Sequence, residues 1–231
     1  METKTMNGTT ARLCAAVLAV IGMAVACTST QNAKAPENWD GLERRQVKGI
    51  DAVYVRPNVQ FPPYKSVMLD PVQVSFSKSW DPNDTREVSR HLDAADLQKI
   101  KDELARLFRE SFAEELGKGG YPLVEAPADD TMRIEAAIVD LYINAPDTMT
   151  AGRSRTYTTE AGAMTLAMEL RDGPTGQVLA RVVDRRTAET AGGYMQWTNS
   201  VTNRADARRL LDEWARRLRG ALDKLNGRAS T

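Results

Sequence analysis

Cysteine is nearly absent from this chain, and what there is sits at one end. The 231 residues hold two cysteines, Cys14 and Cys27, and a single histidine, His91. A disulfide framework is excluded for the body of the chain, and a Cys/His zinc site has almost no ligands to draw on. Aromatics are sparse at 6%, and 31 basic residues balance 31 acidic ones. Neutrality removes the electrostatic footprint expected of nucleic-acid binding. The longest apolar run, Leu13–Ala26, falls short of the roughly 17–20 residues that span a bilayer as a helix. Internal repeats and low-complexity segments are missing too. Stability must come from an apolar core, and this length suits one well-packed domain and is short for two.

What is present begins with a three-part N-terminus. Lys4 and Arg12 give a weakly positive start, Leu13–Ala26 is uncharged and mostly apolar, and Cys27 precedes the polar stretch TSTQNAKAPEN. A positive region, a short apolar region and small residues at a cleavage point form a secretory signal pattern. Residues 24–27, Ala-Val-Ala-Cys, resemble the lipobox of bacterial lipoproteins, with Ala24 where Leu is favoured. That resemblance implies diacylglyceryl attachment to the Cys27 sulfur, cleavage before Cys27 and acylation of the new amine. Ala-Val-Ala also fits the A-x-A site of ordinary signal cleavage. Either route leaves Cys27 first, and one of them adds lipid. In the lipoprotein sorting pattern an Asp after the Cys favours the inner membrane. Thr28 stands there instead, which directs the expectation to the outer membrane, with the domain in the periplasm.

The chain then reads as three segments: a signal peptide over 1–26, a lipidated N-terminus and tether over 27–49, and one globular domain over 50–231. The tether is polar, with Pro36, Gly41 and Gly49; Trp39 and Leu42 within it are apolar enough to dock. Ser66–Phe76 alternates as a strand interrupted at Pro71. Asp93 is an N-cap for a long helix whose apolar positions, Leu97 through Phe112, step by three and four before the stop at Gly117–Gly120. Tyr121–Glu125 and Met132–Ile143 make one strand, apolar on both parities and so expected to be covered on both faces. Ala163–Arg171 and Gln177–Arg186 flank Asp-Gly-Pro-Thr-Gly, a hairpin signal. Asn203 is the cap for a last helix with a Leu210–Leu225 stripe ended by Gly227. Strand–helix–strand implies a parallel pair. The sequence therefore predicts a mixed α+β domain: one four- to five-stranded mixed sheet with two long amphipathic helices packed on it.

Catalytic patterns are weak. His91 at the foot of the first helix has no marked nucleophile, and no G-x-S-x-G is present. Asp81, Asp84 and Glu87 lack the glycine and terminal glutamate of a calcium loop. Gly-Lys-Gly-Gly at 117–120 has no Ser or Thr after the lysine and is a helix end, not a phosphate loop. Asp70, Asp140, Asp172 and Asp184 lie on or beside strands, where a carboxylate pair could do acid–base work, but turns and edges explain them more cheaply. Six arginines of the last helix, Arg204 to Arg219, alternate with Asp206, Asp212, Glu213 and Asp223, as on a solvated, ion-paired face. The loop aromatics Tyr157, Tyr194 and Trp197 are candidate partner-binding residues; plugs beneath the loops are the other reading.

The segments YKSVMLDPVQVSF and AGAMTLAMELRDGPTGQVLARVVDRR, with the C-terminal amphipathic helix, resemble a proteobacterial lipoprotein family of the domain-of-unknown-function 3313 type, over roughly 37–226. The resemblance implies a small exported domain and supplies no catalytic residues. The expected function is a non-enzymatic envelope lipoprotein without cofactor or metal. It would be anchored to a membrane through Cys27, with an envelope protein or cell-wall partner and no nucleic acid. A periplasmic module carrying a small hydrophobic ligand or lipid between sheet and helices is the alternative, followed by a hydrolase.

Overall fold

In the computed structural model the polypeptide is described over residues 36–59, 61–81, 92–143, 157–158, 160–189, 196–197 and 200–228. Cys27, Tyr194, His91, Asp84 and Glu87 lie outside these residues. The folded unit runs from Ala35 to Thr231.

The strands are β1 (Asn38–Trp39), β2 (Leu42–Arg45), β3 (Ala52–Val55), β4 (Ser66–Leu69), β5 (Gln73–Phe76), β6 (Leu123–Val124), β7 (Thr131–Ile143), β8 (Tyr157–Thr158), β9 (Glu160–Asp172), β10 (Val178–Glu189) and β11 (Gln196–Trp197). The helices are α1 (Ala94–Lys118) and α2 (Ser200–Leu225). The main sheet has nine strands in the order β1-β2-β3-β10-β9-β7-β4-β6, with β5 also on β7; β8 and β11 form a separate two-stranded ladder. The domain is mixed α+β as the sequence indicates, but the sheet is about twice as wide as four or five strands. The extra strands come from two sources. Residues 38–55, partly read as tether, form β1, β2 and β3, with Leu42 1% exposed. Pro71, with no N–H to give, splits the expected Ser66–Phe76 strand in two, and β4 and β5 pair in parallel with successive stretches of β7.

Asp93 caps α1 as its position implies. Its carboxylate accepts from the Asp96 N–H at 2.9 Å, and Asp96 reaches back to the Asp93 N–H, a reciprocal capping box. α2 starts at Ser200, three residues before the expected cap Asn203. It ends at Leu225, where Gly227 takes the left-handed conformation. The hairpin β9–β10 closes on Asp172–Gln177: the Asp172 N–H donates to the Gln177 carbonyl at 3.0 Å, and the Asp172 carboxylate accepts from the Thr175 N–H at 3.2 Å.

Both helices lie on one face of the sheet. Ile134 and Ile138 of β7 and Leu166 of β9 meet Leu107, Phe108 and Phe112 of α1 and Leu211, Trp214 and Leu218 of α2 in one core. Each such side chain contributes about 1.5–3 kcal/mol by leaving water. α1 and α2 are also tied by ion pairs, Arg204–Glu103 at 2.8 Å, Arg208–Glu114 at 2.7 Å and Arg219–Glu115 at 3.3 Å. The other face is barer than expected: Arg133, Glu135, Ala137 and Val139 of β7 are only half-buried. β7 is central but covered by helices on one side alone. A smaller cluster of Leu42, Ala52 and Tyr54 sits apart from the main core, where Trp39 meets Tyr54 edge-on at 5.5 Å.

Candidate functional site

The two ends of the long central strands are built differently. At one end β7 bulges. It pairs with β9 in continuous register from Met132↔Asp172 to Val139↔Thr165, then shifts so that Tyr142 faces Ala163. β5 absorbs the same extra residue, going from Val74↔Ile138 to Phe76↔Leu141. Asp140 takes φ +52°, a left-handed conformation that Asp tolerates and β-branched residues do not. The bulge reverses the parity of the strand: Ile138 and then Leu141 are buried, and Tyr142 is left 41% exposed. Position 162 must be glycine for this, because a Cβ there would come 2.5 Å from the Tyr142 carbonyl oxygen. Beside the bulge, the Trp80 indole donates to the Ile143 carbonyl at 2.9 Å. Trp80 also stacks on Phe76 at 4.5 Å, and Lys101 lies 5.5 Å above the Phe76 ring.

The β8–β11 ladder adjoins this end. The last β9–β10 register pair is Glu160↔Glu189, and two Cα–Cα steps separate Thr158 from Glu160, a reach of about 7 Å. Within the ladder Trp197 pairs with Tyr157 and Gln196 with Thr158. Two of the three loop aromatics singled out in the sequence are thus register partners. Tyr142 and Trp80 were not among the sequence candidates. The available signal for Tyr142 was Asp140, an αL-tolerant residue inside a run of strand formers.

The opposite end is sealed by buried and part-buried hydrogen bonds. Tyr64 donates its hydroxyl to Asp172 at 3.0 Å, and Tyr121 donates to Asp223 at 2.8 Å. The Asn226 amide donates to the Tyr64 carbonyl at 2.8 Å and to the Tyr121 hydroxyl oxygen at 3.1 Å. Burial pushes the Tyr64 phenol up strongly, and the neighbouring Asp172 carboxylate adds to it. Tyr121 is raised by burial in the same way. Burial also works against a charged Asp172, but the hydrogen bonds from Thr175 and Tyr64 outweigh it and hold that carboxyl below its ordinary value. These disturbed groups tie α2 to the strand ends, and each one is engaged by a protein partner.

The strand aspartates do not converge. Asp70 pairs with Arg133 at 2.8 Å. Asp140 makes the bulge, and Asp172 belongs to the sealed end. Asp184, 2% exposed, accepts from the Trp214 indole at 2.8 Å, the Asp51 N–H at 3.1 Å and Arg186 Nε at 2.7 Å. That network fastens α2 to β10. Among the described residues no three His, Cys, Asp or Glu side chains are grouped to hold a metal ion, and no helix is long and apolar enough to cross a membrane.

Among the described residues two hollows concern the sheet and its helices. One, about 280 Å³, lies on the bare sheet face over Ala137, Ala167 and Val183, rimmed by Trp39, Glu169 and Arg181. Arg181 is spent there on Glu169 at 2.7 Å and on the Trp39 ring at 4.7 Å. The other, about 520 Å³, runs between α1 and the β4–β5 link and is lined by Leu69, Pro71, Val72, Ala105, Phe108 and Ala113, with charged side chains at its margin.

An α+β domain with one helix-covered face, one bare face, a sealed end and an aromatic end is the class of protein these features define. The family model described as "Protein of unknown function (DUF3313)" matches residues 31–218, and the chain belongs to that family. No curated protein matches the chain. Among solved structures it is similar to PelC from Paraburkholderia phytofirmans, a dodecamer, at 14% identity and TM-score 0.35, covering 70% of this chain and 93% of PelC. A "putative lipoprotein" from Caulobacter crescentus is similar at 13% identity and TM-score 0.33, covering 69% and 89% of the two chains. A Xanthomonas campestris protein of the DUF330 family model is similar at 13% identity and TM-score 0.36, covering 75% and 92%. No property of these proteins passes to this chain at such scores.

Proposed function

We propose that the chain is a non-enzymatic lipoprotein of the bacterial cell envelope. Acyl chains on Cys27 anchor it in the outer membrane, and its domain is presented in the periplasm to a protein or cell-wall partner through its aromatic end. The observation that carries this reading is the pairing of Tyr157 with Trp197 at the end where the β7 bulge leaves Tyr142 exposed. Amphipathic aromatics are the usual anchors of interfaces. Supporting it, the strand aspartates are dispersed and individually engaged, which argues against a hydrolase. The space between sheet and helices is filled by Phe108, Phe112, Ile134 and Leu211, which argues against a ligand carried there.

Intact-mass measurement of the natively expressed protein tests the anchor. The expected mass lacks residues 1–26 and carries diacylglyceryl and a further acyl chain; an unacylated or uncleaved mass overturns it. Mild in-cell crosslinking tests the docking end. A partner is expected to co-purify with the wild type and to be lost with the combined Tyr142→Ala, Tyr157→Ala, Trp197→Ala variant. Retention of every crosslink in that variant rejects the aromatic end as the contact.

A further inference from the structure

Among the described residues the main sheet is one strand short on the α1 side, and the start of the gap is backed by the 520 Å³ groove. β4 and β5 share a track beside β7, but β6 covers only β4, pairing at Val67↔Leu123 and Met68↔Val124. β5 pairs with β7 and with no other strand among the described residues. Among the described residues the outer edge of the sheet from Asp70 to Phe76 therefore carries no strand, about 20 Å at the usual rise per residue; at its start the Leu69 carbonyl accepts from Arg109 at 3.5 Å. An open edge presents backbone N–H and C=O groups that only another extended chain can satisfy in series.

The walls around this edge define what fits. The floor is apolar: Leu69, Pro71 and Val72 on the sheet side, with Ala105, Phe108 and Ala113 on α1. Ala105 and Ala113 are eight residues apart on one helix flank, and their small side chains are what leave the groove empty. The charges at its margin are already neutralised. Asp70 is paired with Arg133 at 2.8 Å, Arg109 with Glu125 at 3.0 Å and Arg106 with Glu103 at 2.7 Å. The Arg109–Glu125 pair stands at the β6 end, and the Phe76–Trp80 stack with Lys101 stands at the other. The charges lining the groove are already engaged within the protein, which leaves only Lys101, at its far end over the Phe76 ring, and a compact apolar molecule would leave the strand edge unpaired.

We infer that the edge of β5, together with the groove under α1, is a strand-addition site for an extended, uncharged segment of a partner protein with aliphatic side chains at alternate positions. The partner chain takes the place in the sheet that β6 vacates after Val124. Every second side chain enters the groove against Ala105 and Ala113, and the intervening ones face solvent. The site reaches the Phe76–Trp80 stack beside the bulge, but its backbone pairing uses none of Tyr142, Tyr157 and Trp197.

The test is selection of displayed random octapeptides against the full-length protein in detergent. The expected winners alternate apolar and polar residues. They slow amide exchange within Gln73–Phe76 by at least about tenfold, and they lose at least about tenfold in affinity when alternate peptide amides are N-methylated. Ala113→Trp, which fills the groove, is expected to abolish their binding. N-methylation alters the peptide alone, so that result does not depend on how well the variant folds. Three outcomes overturn the inference: no peptide is selected, protection falls outside β5, or binding is indifferent to N-methylation. The last would make the groove a site for side chains or small apolar molecules only.

Discussion

The two ends of the long strands share one sheet and are finished in opposite ways. At the sealed end Tyr64, Tyr121, Asp172, Asp223 and Asn226 close a hydrogen-bonded knot that leaves the buried Asn226 Oδ1 without a partner. At the aromatic end the central strand takes on an extra residue, bends at Asp140 and turns a tyrosine outward. Satisfied buried networks rigidify a fold, whereas a bulge spends regularity to re-aim a side chain. At the sealed end disturbed ionisation reflects hydrogen bonds that hold the fold, so it does not mark a reactive group. The groups with shifted proton affinity at the sealed end, Tyr64, Tyr121 and Asp172, hold structure together.

The largest difference between the ends is expected in packing. Leu116, at the end of α1 beside the sealed knot, is 0% exposed. Leu116→Ala is expected to cost about 2–5 kcal/mol in urea unfolding, the range for emptying a core site. Tyr142→Ala at the other end is expected to stay within about 0.5 kcal/mol, as for surface positions. Equal losses at the two sites would remove the contrast.

Next in size is the knot itself. Tyr121→Phe strips a donor from Asp223, which is 5% exposed, and is expected to cost about 1–3 kcal/mol. The same end should carry a pH signature. Asp172 is held below its ordinary value when folded, so its contribution is present above the unfolded value near ~4 and fades as pH falls through the folded one. Tyr64 is raised, so stability should also decline as pH climbs above about 10, where only the unfolded chain loses that proton. Asp172→Asn should flatten the acid limb of urea midpoint against pH, and Tyr64→Phe the alkaline limb. Unchanged limbs in both variants would show that the knot is not what titrates.

How far the sequence reveals this arrangement follows from what each element depends on. α1 was legible because its cap, its stripe and its stop are local: Asp93 bonds within three residues, and Leu104, Leu107, Phe108 and Phe112 repeat at helical spacing. The β9–β10 hairpin was legible from five turn residues. β1 and β6 have two residues each and exist only as partners of other strands, so no periodicity could announce them. Residues 38–45 looked like tether because Trp39 and Leu42 are the only large apolar residues there. The burial of Leu42 depends on Tyr54 and on Val178 and Val183 of β10, and Trp39 stays 40% exposed. The covered-on-both-faces reading of β7 failed because Ala137 and Val139 are apolar but small, and the sheet tolerates them half-exposed. The Tyr157–Trp197 pairing joins residues far apart in the chain, and nothing near either one encodes it.

The bulge offers a finer test. Asp140→Val places a β-branched residue in a left-handed conformation and is expected to cost about 1–2 kcal/mol. Asp140→Gly should be neutral or slightly stabilising, because glycine adopts φ near +52° freely. If valine were tolerated as well as glycine, the strand would run on in regular register, Tyr142 would turn inward, and its fluorescence would lose accessibility to a soluble quencher. That result would erase the aromatic end as a built feature.

The smallest effect is expected where the helices are joined by exposed charge. Arg204 pairs with Glu103 at 2.8 Å, with side chains 59% and 33% exposed. It follows shortly after the β8–β11 ladder in the chain, so it is the ion pair best placed to brace the aromatic end. Exposed pairs give up side-chain entropy and are screened by salt, and double-mutant cycles place them at about 0.2–1 kcal/mol. Arg204→Ala is therefore expected to lower stability by less than about 0.5 kcal/mol at low ionic strength, and by nothing measurable near ~1 M salt, where the screening length falls to about 3 Å. A loss of several kcal/mol that persists in high salt would mean that Arg204 supports the fold through its aliphatic stem. The aromatic end would then be fastened to the helix pair as firmly as the sealed end is fastened by its knot.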